Sequence, residues 1–461
     1  MKKFDSLYFV GAGGIGMAAL ERYFLAQGKR IAGYDRTPSD LTHALEQEGV
    51  HIDYDESPDL IPDYCRDPEH TLVVYTPAVP DTHQGLTYFR KHGFEVVKRA
   101  ALLGEVTSLS KGLCFAGTHG KTTTSSMAAH ILHSSGIGCN AFLGGVLRNY
   151  DSNFLLSDTS PYSVIEADEF DRSFHHLRPH IAVVTSTDPD HLDIYGTPEN
   201  YLESFAHFTE LIQPGGALIV HTGLALKPRV QSGVKIYTYS RDEGDFHATN
   251  IRKGGGEITF DLVTPWETVK DISLGVPVDI NIENGIAAMA ACRLIDQVPL
   301  EAMRNAMATF LGAKRRFEFW LKEPGEQGRV MIDDYAHHPG ELRASISSIQ
   351  DMYPGRRLTV IFQPHLYSRT RDFAPEFAAA LSMADEVILL PIYPAREEPI
   401  PGVTSEMVLD KVTCTKKCIY SKENLIKSIK LSNFDVLLTA GAGDIANLLP
   451  QICVEYKKQK R

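Results

Sequence analysis

The sequence predicts an α/β protein of three domains, and three observations carry that reading. Short apolar runs recur along the chain and alternate with helical stretches, the pattern of parallel strands covered by helices. Two of these runs lead into glycine-rich turns that open helices, at residues 11–16 and 117–120. The length of 461 residues corresponds to about three domains at roughly 150 residues each.

Composition narrows the classes of function. A hydrophobic share of 43% and a charged share of 23% are ordinary for a globular protein with a large core. The formal net charge of −12 argues against general nucleic-acid or membrane-surface binding, while local basic loops still suit an anionic ligand. Met1-Lys2-Lys3 leads into an apolar run that glycines break at once, so no secretory segment is expected. No stretch approaches the ~18 apolar residues of a membrane span. The seven cysteines, at 65, 114, 139, 292, 414, 418 and 453, are odd in number and scattered, which fits free thiols in a reducing, cytoplasmic setting.

The first domain, residues 1–103, begins with a strand at 7–10, a turn through Gly11, Gly13, Gly14 and Gly16, a helix at 17–25 and a strand at 31–34 ending in Asp35. Gly-x-Gly-x-x-Gly followed about 20 residues later by an acid is the Rossmann pattern, which suits any diphosphate on a nucleoside. Further strands are expected at 73–77, ending near Thr76, and at 94–99. The second domain, residues 104–313, has strands at 113–116, 162–165, 181–185 and 217–220, a strand-rich stretch at 234–276 and an Ala-rich helix from Asn284 to Ile295. The third domain, residues 314–461, has strands at 330–332, 358–362, 386–390 and 435–439 and is again Rossmann-like.

The chemistry gathers at strand ends. Residues 116–124 read Ala-Gly-Thr-His-Gly-Lys-Thr-Thr-Thr, between an apolar strand and a helix. That order suits a P-loop-type ATP cradle. Gly117, Thr118, His119 and Gly120 turn amides onto a polyphosphate. Lys121 adds a point charge and Thr122, beside Thr123, a hydroxyl for Mg²⁺. Standard spacing wants glycine where Phe115 stands. The strand at 162–165 delivers Glu166, Asp168, Glu169 and Asp171, and Glu166, first after the strand, is the expected Mg²⁺ ligand; a solvated acidic turn is the competing reading. His191, after the next strand, is a second candidate ligand. In the third domain His337, His338, His365, Arg369 and Arg371 follow two neighbouring strands, a rim suited to a carboxylate or phosphate.

Taken together, Ala-Gly-Thr-His-Gly-Lys-Thr-Thr-Thr, Glu-Ala-Asp-Glu at 166–169, Asp-His-Leu-Asp at 190–193, Arg-Arg-Phe at 315–317, Asp-Asp-Tyr-Ala-His-His-Pro at 333–339 and Gln-Pro-His-x-x-x-Arg-Thr-Arg at 363–371 resemble the Mur ligases, from Gly11 to Gly443. The likeness points to the branch that adds L-alanine to UDP-N-acetylmuramate. It implies a UDP-sugar domain, an ATP domain and an amino-acid domain. The implied reaction is ATP-dependent: the muramate carboxylate becomes an acyl phosphate, and the alanine amine displaces phosphate. It implies ATP and Mg²⁺, with two ions, as cofactors, and UDP-N-acetylmuramate and L-alanine as small-molecule partners of a monomer or homodimer.

Residue by residue, the resemblance assigns Lys121 and Thr122 to ATP and Mg²⁺, and Glu166 and His191 to Mg²⁺. It assigns Asn281 and Asn284 to the adenine, and Arg316 and Asp334 to residues that close onto ATP. His365, Arg369 and Arg371 fall in the substrate motif, with His337 and His338 beside them. Gly11, Gly13, Gly14 and Gly16 match the diphosphate loop and Asp35 the uridine position, with Thr76 placed alongside.

Two positions depart from the family: Ile280 stands where a histidine is common, and Leu366 where some members have arginine. No lysine lies between His191 and Lys227, in keeping with the alanine-adding branch, since sister ligases carry a carbamylated lysine there. The rivals are a murein-peptide recycling ligase joining a tripeptide, an NAD-dependent oxidoreductase suggested by the first glycine turn, and a non-catalytic nucleotide switch.

Overall fold

The computed structural model describes residues 4–254, 256–295, 298–325, 327–395, 397–428 and 434–459. The chain divides into two compact units. One comprises Met1–Thr249, Asp261–Ile272 and Glu283–Phe310, the other Asn250–Phe260, Ser273–Ile282 and Leu311–Arg461.

The first unit opens with five parallel strands, β1 (Ser6–Val10), β2 (Arg30–Tyr34), β3 (His51–Asp53), β4 (Thr71–Tyr75) and β5 (Glu95–Lys98), in the order β3-β2-β1-β4-β5. β1 is buried at every position, as an apolar run in a parallel sheet with both faces covered must be. Strand order reverses between β1 and β4, and ligands of such sheets bind beyond the carboxyl ends at that switch point. The first glycine turn leaves β1 there, and Thr76 follows β4.

Its larger sheet contains β6 (Lys111–Ala116), β7 (Asn140–Leu147), β8 (Ser152–Leu155), β9 (Tyr162–Glu166), β10 (Pro179–Val184), β11 (Ala217–His221) and β12 (Lys235–Tyr239), ordered β12-β11-β10-β6-β9-β7-β8. β6, the strand before the second glycine turn, is central, with β10 and β9 parallel on its two sides. The antiparallel β7–β8 hairpin at the edge was not expected from sequence. It receives the helix Ile15–Ala26: the Tyr23 ring lies 5.6 Å from Phe142 and 6.2 Å from Phe154. Such aromatic pairs contribute about 1 kcal/mol each beyond their burial. Buried Asn153 accepts from Arg22 Nη1 at 2.6 Å and donates to the Ile15 carbonyl at 2.7 Å. These contacts fasten the first glycine-turn helix to the sheet that carries the second turn. Residues 247–273 form a three-stranded sheet of β13 (His247–Gly254), β14 (Glu257–Val263) and β15 (Thr268–Ser273).

The second unit is built on β16 (Glu318–Lys322), β17 (Val330–Asp334), β18 (Leu358–Phe362), β19 (Glu386–Leu389), β20 (Lys416–Ile419) and β21 (Val436–Ala440), ordered β16-β17-β21-β18-β19-β20. The four strands expected from sequence are the inner ones. β16, antiparallel to β17, and β20 are edges whose charged residues hid them. Among the described residues no helix is long and apolar enough to cross a membrane.

Candidate active site

The second glycine turn follows from the burial of β6. Phe115 is fully buried in the strand, opposite Val183, and β6 runs on through Ala116. The turn therefore starts two residues later than the standard spacing, which is why the glycine expected at 115 is absent. Gly117 and Gly120 have φ of 142° and 82°, a region that favours glycine, and a side chain on Gly117 would collide with Thr185. Neighbouring side chains hold the turn. The Thr118 hydroxyl donates to the Asp188 carbonyl at 2.6 Å and lies 2.8 Å from the Tyr201 hydroxyl. The His119 N–H donates to Ser186 Oγ at 2.8 Å, and the Thr185 hydroxyl donates to the His119 carbonyl at 2.5 Å. The helix Lys121–Ser134 starts at Gly120 with no side chain capping it, so its first amides and its dipole are available to an anion. Thr122 is buried and Thr123 half-buried on its first turn. Asn284 accepts from the Thr124 hydroxyl at 3.2 Å, and its Oδ1 would meet any Cβ on Gly120.

Lys121 does not project freely. Its Nζ donates to the Gly117 carbonyl at 2.6 Å and sits 2.8 and 2.9 Å from the two carboxylate oxygens of Glu169. Burial works against its charge, but Glu169, then Glu166, more than offset this and hold its pKa above the usual lysine value. Glu169 is 2% exposed, and burial raises its own pKa against the pull of Lys121. Glu166, at the end of β9, accepts from the Gly144 N–H at 3.1 Å, and a side chain at 144 would run into its carboxylate. Asp168 and Asp171 turn outward to Arg99 at 3.5 Å and Lys98 at 2.9 Å. The turn that carries these carboxylates kinks at Asp171 and Arg172, whose φ values are 50° and 54°.

His191 is half-buried, with φ of 53°, and its ring lies 5.2 Å from that of Phe170 in the same acidic turn. Among the described residues no three His, Cys, Asp or Glu side chains converge as a ready-made metal cage. Glu166, with Thr122 nearby on the loop helix, still fits Mg²⁺, a hard cation that takes one or two carboxylates and completes its shell with phosphate and water.

At the switch point of the small sheet, the Gly13 N–H donates to Asp35 Oδ2 at 2.7 Å, so Asp35 holds the turn itself. A Cβ on Gly11 would stand 2.5 Å from Thr76 Cγ2, and one on Gly16 2.7 Å from Arg99 Nη1. Gly14 precedes the helix Ile15–Ala26, again without a side-chain cap. Gly11, Gly13, Gly14, Gly16, Asp35 and Thr76 thus come together, with Arg99 beside them and reaching Asp168 as well.

In the second unit, Arg315 is structural: it donates to the Gly443 and Gly441 carbonyls at 2.9 and 2.5 Å and pairs with buried Asp333. Arg316 lies over the Tyr335 ring at 5.1 Å. Asp334 accepts from the Ser345 hydroxyl and the Phe317 N–H, and burial pushes its pKa up to about 6. The rings of His337 and His365 are 6.0 Å apart, and Arg369 Nη1 is 3.5 Å from His365 Nδ1. Burial lowers the His337 pKa. His338 caps the helix Pro339–Met352 and packs on Phe373. Arg371 is not brought to this rim; it is exposed and pairs with Asp372 at 2.7 Å. Asn281 donates to the Val276 carbonyl at 3.1 Å.

Sequence reasoning passed over Glu169, Arg99 and Gly144. Glu169 stood in the acidic cluster with nothing to separate it from Glu166. Gly144 had a faint signal, a Gly-Gly pair inside a strand, which marks close backbone approach.

Family models match nearly the whole chain: "Mur ligase family, catalytic domain" over residues 6–111, "Mur ligase middle domain" over 115–292 and "Mur ligase, glutamate ligase domain" over 315–443. The chain is 59% identical to the UDP-N-acetylmuramate–L-alanine ligase of Phocaeicola vulgatus over 449 residues, covering 97% of each chain. It is 59% identical to that of Parabacteroides distasonis over 462 residues, covering 100% of this chain and 99% of the relative. Among solved structures, the UDP-N-acetylmuramate–alanine ligase of Thermotoga maritima matches with a TM-score of 0.84 and 25% identity, over 98% of this chain and 99% of that one. A murein peptide ligase from Psychrobacter arcticus shares the fold at a TM-score of 0.66 and 22% identity, over 98% of both chains. The chain belongs to the Mur ligase family.

Proposed function

We propose that this chain is an ATP-dependent ligase that joins L-alanine to the carboxylate of UDP-N-acetylmuramate through an acyl phosphate, releasing ADP and phosphate. The reading is supported chiefly by relatives of that name at 59% identity over nearly full length. Lys121, a nearby carboxylate in Glu166 and an uncapped helix start are parts that phosphoryl transfer to a carboxylate uses, and they support this reading.

Three functional regions divide the work. Residues 1–103 bind the UDP-sugar through Gly11, Gly13, Gly14 and Gly16, with Asp35 shaping the turn and Thr76 beside it. Residues 104–313 bind ATP through Gly117, Thr118, His119, Gly120, Lys121, Thr122 and Thr123, with Asn281 and Asn284 serving the adenine. Residues 314–461 serve the amino acid. Lys121 and the helix dipole draw negative charge off the transferring phosphoryl group, and the fixed loop holds it in line with the muramate carboxylate. Thr122, Glu166 and His191 would hold Mg²⁺, which neutralises phosphate charge when bound. Arg316 and Asp334 serve the nucleotide, while His337, His338, His365 and Arg369 receive the carboxylate and amine of alanine; Arg371, turned out to Asp372, takes no part in that rim. Alanine nitrogen then attacks the acyl carbon and phosphate leaves. Two ions, a monomeric or homodimeric state and a cytoplasmic setting complete the reading.

A competition assay tests it: UDP-N-acetylmuramate and ATP are offered L-alanine and the murein tripeptide together, and the product is identified by mass. The L-alanyl adduct is expected. Tripeptide ligation without alanine ligation would instead make the chain a recycling ligase, and a nicotinamide-dependent absorbance change would point to the oxidoreductase.

A further inference from the structure

The ATP loop carries its own anion. The Lys121 ammonium has three N–H groups, and the chain engages all of them: the Gly117 carbonyl at 2.6 Å, the Thr118 carbonyl at 3.5 Å and the Glu169 carboxylate at 2.8–2.9 Å. Glu169 is held from behind. The Tyr195 hydroxyl donates to its main-chain carbonyl at 2.5 Å, the Tyr195 ring packs edge-on against Tyr201 at 4.9 Å, and the Tyr201 hydroxyl meets Thr118 of the loop. A closed ring of contacts therefore runs from the loop through two buried tyrosines to Glu169 and back to Lys121.

We infer that Glu169 is the resident counter-ion of Lys121, which a phosphate of the nucleotide must displace, and that it thereby sets the affinity for ATP. This rests on the proposed reading of the loop as an ATP site. A polyphosphate gains Lys121 only by giving up part of this buried pair, and the carboxylate left at 2% exposure both loses its partner and repels the incoming anion. The opposing term tunes ATP binding downward, so that product nucleotide is not held too tightly. Glu169 is a positioning residue, acting on the nucleotide through Lys121, and its role is separate from that of Glu166, whose carboxylate faces the Gly144 amide.

The test is calorimetric titration of the full-length protein with ATP in EDTA, where metal ligation contributes nothing. Glu169→Gln keeps the shape and removes the charge, and it is expected to bind ATP about tenfold tighter than wild type. Glu169→Asp keeps the charge on a shorter arm and is expected to bind about threefold tighter. In steady state the KM for ATP falls in the same order while kcat does not rise, the signature of added ground-state binding. Unchanged or weaker binding by Glu169→Gln, with wild type binding ATP normally, overturns the inference. If Glu169→Gln does not fold by thermal melting, Glu169→Asp alone decides, tighter binding supporting and equal or weaker binding overturning. Failure of the wild type to bind ATP in a parallel titration with Mg²⁺ present would overturn the ATP reading instead.

Discussion

The turn at residues 11–16 and the turn at residues 117–120 both leave a buried parallel strand, and both open a helix that no side chain caps. They differ in what closes them. The first is drawn shut by an anion, Asp35, accepting from the Gly13 amide, and contributes no cation of its own. The second is drawn shut by a cation, Lys121, folded back on its own carbonyls and on Glu169. On the proposed reading, one scaffold serves two tasks. A diphosphate that only has to be held needs amides and a shaped turn, whereas a phosphoryl group that changes hands needs a preorganised positive charge where negative charge develops.

Lys121→Ala is the harshest way to break this contrast. Ligation should fall at least about a hundredfold, as for loss of one electrostatic partner of a transition state, while UDP-sugar binding and circular dichroism stay as in wild type. Equal damage to UDP-sugar binding would mean that the two turns are not separable. Glu166→Gln comes next. Its Mg²⁺ titration should shift to roughly tenfold higher concentration, and an unaltered titration counts against Glu166 as a ligand. Asp35→Ala loosens only the first turn. Losing a charge-assisted bond worth about 1.5–3 kcal/mol should raise the KM for UDP-N-acetylmuramate by about tenfold or more with the KM for ATP unmoved.

The smallest effect sharpens the contrast through acid stability. The second helix carries buried His130, hydrogen-bonded to Tyr150 at 2.7 Å and Thr309 at 3.1 Å; the first helix has no histidine. Burial, and then His133, push the His130 pKa down to about 4. A histidine depressed in the fold stabilises it above the unfolded pKa of about 6.5 and loses that contribution as pH falls to about 4, an order of 3 kcal/mol in all. His130→Gln should flatten the pH dependence of denaturant stability in that window. An unchanged slope would show that His130 does not titrate with unfolding.

Much of the fold is legible in the amino-acid sequence, for a physical reason. Strands such as β1, β6 and β18 are buried on both faces, so their apolar runs are continuous and unmistakable. Glycine turns at the ends of such strands then mark the candidate ligand sites without further geometry. Strands defined by a partner rather than by composition were not legible. β3 is three residues long, β7 and β8 contain glycine and asparagine, and β20 reads Lys-Lys-Cys-Ile. The acidic turn shows the same limit at the level of a site. Four carboxylates in six residues announced a centre, but which one meets Lys121 and which meets Gly144 depends on partners brought up from other segments, the loop at 117–121 and strand β7. Arg99, between Gly16 and Asp168, was read as the end of a strand; its position becomes meaningful only once the two sheets are joined through Tyr23 and Asn153.

The most direct measurement is ADP formation by the full-length protein given ATP, Mg²⁺ and UDP-N-acetylmuramate, with and without L-alanine. Sustained ADP release that requires both substrates, matched one to one by the alanyl adduct, is the predicted result. ADP release indifferent to UDP-N-acetylmuramate, or absent when both substrates are present, would contradict the account.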